Sequence, residues 1–345
     1  MSPARRSPQN ILLIRLKSIG DVVFSLPAIQ TVRANFPEGR LYFLVSREYV
    51  PIVSGFKEVD EIIPLDRKLF RSGNAVSAGR GVFQLLRDLR RPGFSHVIDL
   101  QGYGETEWLA WWTGASERWS YQYNPLRGML YTRQGADNRR LHPAARHVDL
   151  LGQFGLKIGR PANEFFLPDA ALAEAHRFFA SRNLRADRPT LFIQPFTSAV
   201  FKEWPLENYL AVARHWRAQG LQVIFGGGPQ DAAALQPAAD AGFPVAAGTP
   251  LLVSAGLMKL STVALGGDTG LLHLTVAMGR RVVMLMGHNE PGYPHPYEHA
   301  DWSLAPAPGK RVAEIALDRV MAAVVTALAE TQSQPFSAPA GNVFC

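Results

Sequence analysis

Residues 262–287 read TVALGGDTGLLHLTVAMGRRVVMLMG. Thr262–Leu265 has the β-branched and apolar character of a strand, and Gly266-Gly267-Asp268-Thr269-Gly270 is a turn. Leu271–Met278 suits a helix, and Val282–Met286 is a second short apolar run. Two strands joined through a helix run parallel in one sheet, because the helix carries the chain back to its starting edge. Working outward, the same alternation recurs on both sides. Upstream lie a strand at Leu191–Gln194, a helix at Leu206–Arg217 and a strand at Leu221–Phe225, then Gly226–Gly228 and a helix at Leu251–Leu260. Downstream, residues 312–329 form a closing amphipathic helix.

The first half carries its own series. Residues 11–15 (ILLIR) are an apolar run closed by the loop Lys17-Ser18-Ile19-Gly20-Asp21. Ser25-Leu26-Pro27 opens a helix, with Pro27 in the first turn where its missing N–H costs nothing. Leu41–Val45 and Val97–Leu100 read as strands, with helical spacing over Val82–Leu89 between them. The expectation is an α/β protein of two Rossmann-like domains facing a central cleft. The first spans 1–165 and the second 185–331, with 332–345 a mobile tail rich in Ser, Pro, Ala and Gly. The linker falls within the irregular stretches 162–168 and 182–189.

At 345 residues the chain is long enough for two cores. Its one cysteine, Cys345, leaves no disulfide pair and no Cys-based zinc site. No stretch approaches the roughly 20 apolar residues of a membrane helix, so a cytoplasmic protein is expected. The net charge of +7 is uneven. Residues 1–160 hold 23 Lys and Arg against 14 Asp and Glu, a balance of +9, and residues 161–345 hold 13 against 15, a balance of −2. The basic half either attracts an anionic partner or is simply a solvated surface.

Every chemistry-bearing cluster sits after a strand, where ligands bind in open α/β sheets. Asp21 follows Gly20 between the first strand and helix. It suits a general base toward an acceptor hydroxyl, or a carboxylate capping the following helix. Thr197 and Ser198, with Lys202 just ahead of Pro205, offer two hydroxyls and an ammonium beside a helix start. That combination fits a diphosphate, or else a turn and a solvated lysine. In the 266–270 loop, Gly267 and Gly270 permit close approach to a ligand, and Thr269 offers a hydroxyl. Asp268 suits sugar hydroxyls or a cap better than phosphates, and His273 projects from the helix's first turn. The loop is neither a G-x-G-x-x-G fingerprint nor a Walker A motif, and no H-E-x-x-H or G-x-S-x-G is present. His288, His295 and His299 in a Pro-rich stretch are read as a polar loop rather than a metal site. Trp108, Trp111 and Trp112 at helical spacing read as core, the other reading being a lipid- or sugar-facing patch.

Together these segments resemble glycosyltransferase family 9, the lipopolysaccharide heptosyltransferases. The resemblance is carried by RLKSIGDVVFSLPAIQTVRANFP from Arg15, DLQG at 99–102, QPFTSAVFKEWPLENY from Gln194, GGGPQD at 226–231 and the stretch 266–287. It implies the GT-B architecture, with the acceptor on the N-terminal domain, the nucleotide-sugar on the C-terminal one, and an inverting displacement without metal or cofactor. It makes Asp21 the general base, and Thr197, Ser198, Lys202, Asp268, Thr269, Gly270 and His273 the donor site. Asp231 is then a ribose contact, while Arg15 and Lys17 face a phosphorylated lipid A/Kdo-type acceptor. ADP-heptose is the expected donor. Peripheral contact with the anionic inner face of the inner membrane is expected, and no nucleic acid. Residues 103–107 (YGETE) and 288–299 (HNEPGYPHPYEH) depart from the family's pattern and leave donor and acceptor choice open. The competing readings are a sugar-nucleotide epimerase or other enzyme on this architecture, and a non-catalytic protein binding anionic surfaces.

Overall fold

The structure is a computed structural model that describes residues 9–67, 75–102, 104–122, 128–160, 163–288 and 290–333. Two compact units emerge, one of residues 1–168 with 290–297, the other of residues 169–289 with 298–345. The first unit runs β1 (Asn10–Ile14), α1 (Ile19–Phe24), α2 (Leu26–Asn35), β2 (Arg40–Ser46), α3 (Val50–Val53), β3 (Glu61–Leu65), α4 (Ala75–Arg90) and β4 (His96–Asp99). It continues with α5 (Glu105–Trp112), β5 (Glu117–Tyr121), β6 (Arg133–Gly135) and α6 (Pro143–Gln153). The second contains α7 (Asp169–Ser181), β7 (Thr190–Gln194), α8 (Leu206–Ala218), β8 (Gln222–Gly227), α9 (Gln236–Asp240) and β9 (Val245–Ala247). There follow α10 (Leu251–Leu260), β10 (Val263–Gly267), α11 (Gly270–Ala277), β11 (Arg281–Leu285), β12 (Ser303–Leu304) and α12 (Leu317–Ser333).

Each unit holds a six-stranded parallel sheet, ordered β3-β2-β1-β4-β5-β6 in the first and β12-β11-β10-β7-β8-β9 in the second. Counted within its own unit, each is the doubly wound Rossmann order 3-2-1-4-5-6. The strand order therefore reverses between β1 and β4, and again between β7 and β10. At such a reversal the connecting helices leave on opposite faces and open a crevice beyond the strand ends.

The central strands are continuous apolar runs because helices cover both of their faces. In β7, Leu191 and Ile193 join a core with Trp204, Tyr209 and Val320. Phe192, pointing the other way, joins Phe179, Leu257 and Leu272. That period of two separates the two helical layers. Full burial of each such side chain contributes about 1.5–3 kcal/mol. In the first unit Leu12 and Ile14 pack with Leu85 and Leu89 of α4 and Ala110 of α5.

Several expectations are corrected. Asp21 lies not in a loop but in the first turn of α1. Helix α7 belongs to the second unit, which begins at Asp169 rather than 185, and residues 290–297 return to the first. There His142 Nε2 lies 2.9 Å from the His295 carbonyl, and the His142 ring packs on those of His295 and Tyr297. Gly292 sits at φ +89°, where a Cβ would lie 2.0 Å from the Arg139 carbonyl oxygen, so only glycine fits. Helix α12 extends to Ser333; the remainder of the expected tail, with Cys345, lies outside the described residues, as does Tyr103. Strand β3 lacks a strand-like sequence pattern because Pro64 interrupts it, which an edge strand tolerates. The tryptophans of α5 are not core: Trp108, Trp111 and Trp112 are 63%, 46% and 40% exposed, while Thr106 and Ala110 face inward.

Candidate functional site

In the first unit the candidate residues gather where β1 and β4 end. Arg15 follows β1, and its Nη1 donates to the Leu100 carbonyl at 2.5 Å. Its Nη2 pairs with Asp21 Oδ1 at 2.6 Å. Asp21 Oδ2 accepts from the Ser18 amide at 2.9 Å and from Ser18 Oγ at 3.2 Å. The carboxylate therefore caps α1, as one reading of the sequence expected. An ionised carboxylate offers about four acceptor positions, and these three donors leave one direction open. With its side chain 38% exposed, Asp21 is accessible to a hydroxyl. Lys17 is exposed.

Beneath this junction lies a residue that the sequence flagged only as part of DLQG. Asp99 ends β4 and is fully buried. Its Oδ1 accepts from the amides of Gln101 and Gly102 at 2.8 and 2.9 Å, and its Oδ2 accepts from Tyr131 Oη at 2.6 Å. Burial pushes this carboxyl up, opposed by those donors and by Thr106. Burial and the neighbouring Asp99 push the Tyr131 phenol up as well, so it stays protonated and donates. Gln101 Oε1 in turn accepts from the Leu16 amide at 3.0 Å. The turn so fixed presents the Leu100 carbonyl that orients Arg15. A carboxylate followed by Gln and Gly at a strand end was the signal available for Asp99; Tyr131 had none.

In the second unit, Lys202, Asp268 and His273 come together where β7 and β10 end. Lys202 closes a 3₁₀ turn at Val200–Lys202, and its Nζ lies 2.7 Å from Asp268 Oδ2. His273 Nε2 lies 3.1 Å from Asp268 Oδ1. Burial alone would raise the Asp268 carboxyl, but hydrogen bonds and charge from His273 and Lys202 outweigh it and hold it below the ordinary carboxylate value. Asp268 is thus an anion, and Lys202 is already paired. Any anionic ligand that reaches Lys202 must share or displace that pairing.

Two glycines allow the loops to meet. A Cβ on Gly266 would lie 2.4 Å from the Gln194 carbonyl oxygen, and one on Gly267 would lie 2.6 Å from Thr197 Cγ2. Thr197 Oγ1 is held locally, donating to the Ala199 carbonyl at 2.8 Å, and the Thr197 amide donates to Glu203 Oε1 at 2.9 Å. Ser198 is exposed on the same loop. Thr269 caps α11, its Oγ1 accepting from the Leu272 amide at 3.4 Å, and Gly270 opens that helix. Asp231 stands apart from this cluster, after β8. Its Oδ2 accepts from the Gly228 amide at 2.7 Å and so caps its own turn. His295 packs with His142, and His299 stacks on Trp302 at 3.7 Å. Among the described residues no group of three or more His, Cys, Asp or Glu is arranged to hold a metal ion.

The family model for glycosyltransferase family 9 (heptosyltransferase) matches residues 82–307, well over half of the chain. The chain belongs to glycosyltransferase family 9. It is therefore a glycosyltransferase, which sets aside the epimerase and the non-catalytic readings. The lipopolysaccharide core heptosyltransferase OpsX of Haemophilus influenzae is 24% identical over 310 residues, covering 86% of this chain and 84% of that one. The crystal structure of the family 9 glycosyltransferase from Veillonella parvula superposes with a TM-score of 0.83 at 21% identity, over 95% and 99% of the two chains. The E. coli heptosyltransferase WaaC with ADP gives 0.76 at 20% identity, over 92% and 100%. These likenesses make the fold GT-B. No described helix of this glycosyltransferase is long and apolar enough to cross a membrane.

Proposed function

We propose that the protein transfers heptose from ADP-heptose to a phosphorylated lipid A/Kdo-type acceptor of the lipopolysaccharide inner core, inverting the anomeric centre. The observation that carries this reading is the family match across residues 82–307. Three others support it: the relative OpsX, whose name specifies the lipopolysaccharide core, the solved WaaC with ADP, and the +9 balance of residues 1–160, which suits a phosphorylated acceptor.

In the proposed step the acceptor hydroxyl attacks the anomeric carbon while Asp21 takes its proton. The new C–O bond forms as the bond from the anomeric carbon to the diphosphate breaks, and ADP leaves with that electron pair. Lys202 and the N-terminus of α11 stabilise the charge growing on the diphosphate. Ser198, Thr197, Thr269 and Gly270 contribute hydroxyl or amide donors, and Asp231 accepts from the ribose. Asp268, braced by the buried His273, holds Lys202 in place and can accept from sugar hydroxyls. Arg15 orients Asp21, and with Lys17 it attracts the acceptor's phosphates. The protein acts on the cytoplasmic side, where a peripheral enzyme meets a lipid-linked acceptor.

Calorimetric titration with ADP, UDP and GDP, without metal and then with magnesium, tests this. Metal-independent preference for ADP is the expected result. Preference for UDP or GDP overturns the donor assignment, and a strict requirement for magnesium overturns the metal-free diphosphate site.

A further inference from the structure

The first unit carries an aromatic face that heptosyl transfer as proposed does not use. Helix α5 packs on α4 through its inner side, where Ala110 joins Leu85 and Leu89 in the core. Trp112 Nε1 donates to the Leu86 carbonyl and Arg90 Nη1 to the Trp112 carbonyl, each at 2.9 Å, tying the two helices together. The outer side is left bare. Phe83 on α4 is 69% exposed, and Trp108, Trp111 and Trp112 follow on α5, the first two rings meeting edge to face at 5.9 Å. Single exposed apolar residues need no explanation, but four large rings on two adjoining helices form a patch.

The charges around it are mostly positive. Arg80, Arg87, Arg90 and Arg91 are exposed. Arg90 and Arg118 line a shallow depression of about 420 Å³ with Trp111 and Trp112. The nearby acids are engaged: Asp88 accepts from Gln84, Glu105 pairs with Arg67 at 3.2 Å, and Glu107 Oε1 accepts from the Leu130 amide. Indole rings have an apolar body and a polar N–H, which suits the boundary between lipid headgroups and acyl chains. Guanidinium groups match phosphate geometry.

We infer that the α4–α5 face docks this glycosyltransferase on an anionic phospholipid bilayer, the four rings entering the interface and the arginines meeting lipid phosphates. The inference rests on the reading of a membrane-borne acceptor and adds to it the surface that makes contact. The occupant is anionic because the rim is cationic and lies in the half of the chain with the +9 balance.

The test uses the full chain with vesicles of phosphatidylethanolamine and phosphatidylglycerol, against phosphatidylcholine alone, with neither donor nor acceptor present. Binding is read by co-sedimentation, and ring insertion by quenching of tryptophan fluorescence with brominated acyl chains. The wild type is expected to bind the anionic vesicles and be quenched. Phe83→Ser with Trp108→Ser should weaken partitioning at least about tenfold, and Arg87→Gln with Arg91→Gln about fivefold per charge. Trp108→Phe should retain binding. Circular dichroism and ADP calorimetry should be unchanged in all three, which separates a lost surface from a lost fold. Vesicle binding without quenching overturns the inference, as does equal binding by the serine variant. A wild-type dimer in sedimentation velocity that the serine variant dissociates, with no vesicle binding, assigns the face to a second copy and likewise overturns it. Absence of ADP binding with vesicle binding intact refutes the donor reading and leaves this one standing.

Discussion

Replacing Asp21 by Asn separates its two roles, because they differ in size. As a cap, Asp21 accepts from the Ser18 amide at 2.9 Å, and an Asn side-chain oxygen can accept the same bond. What is lost is the ion pair with Arg15 at 2.6 Å, whose carboxylate partner is 38% exposed. With the Arg15 side chain only 13% exposed the pair is half-buried, and its loss costs about 1–3 kcal/mol. That is less than the 5–15 kcal/mol of a typical domain. Arg15 keeps its bond to the Leu100 carbonyl, so the junction should hold its shape. As a general base, however, Asp21 contributes roughly 100- to 10,000-fold to turnover, about 3–5 kcal/mol of the barrier. The expected outcome is a folded Asp21→Asn protein with unchanged affinity for ADP by calorimetry. Steady-state release of ADP from ADP-heptose in the presence of acceptor should fall at least about a hundredfold. Turnover above about a tenth of the wild type refutes the base assignment and leaves Asp21 as a cap. Ser18→Ala is the control, removing one contact to the carboxylate while keeping the base.

Lys202→Ala should weaken ADP binding about tenfold or more, as loss of a charge-assisted contact would, and unchanged affinity by calorimetry removes Lys202 from the diphosphate site. Gly266→Ala should destabilise the second unit by about 1–3 kcal/mol, since its Cβ would sit 2.4 Å from a backbone oxygen of β7; an unshifted urea midpoint contradicts this. Gly79→Ala, in α4 with open space around it, should instead stabilise by up to about 1 kcal/mol, seen as a raised melting temperature. Burial, with help from Arg15, Arg146 and His142, holds the His147 imidazole well below its ordinary value. It is therefore neutral when folded, with its Nδ1 hydrogen-bonded to Tyr121 Oη at 2.6 Å, but it protonates freely when unfolded. The unfolded state then binds more protons as pH falls below about 6.5, so stability is full above that value and declines beneath it. His147→Gln should flatten the loss between about pH 6.5 and 5 in urea titrations, and an identical slope contradicts the assignment.

The sequence by itself determined the layered α/β character and the strands at the centre of each sheet. Ile11–Ile14 and Leu191–Ile193 are apolar runs with loop-forming residues behind them, and a strand covered on both faces needs little else. It likewise showed that Arg15, Lys202 and Asp268 follow strands, because Gly and Asp punctuate those junctions. Helix α10 matched its expected limits, Leu251–Leu260, since apolar spacing and Pro250 mark it locally. The edges were another matter. Strands β6, β9 and β12 are three, three and two residues long, and so short a segment becomes a strand only when a neighbour offers its ladder. Periodicity placed Trp108, Trp111 and Trp112 on one helical face but could not say which face. The small residues Thr106 and Ala110 took the inner side, where α5 packs close against the core. Only the tertiary structure paired Lys202 with Asp268, 66 positions apart, and showed that Asp21 caps its helix while remaining open to a hydroxyl. A residue's neighbours in space set its charge partners and its free lone pairs, and those depend on which strands lie side by side, which no local stretch of the chain records.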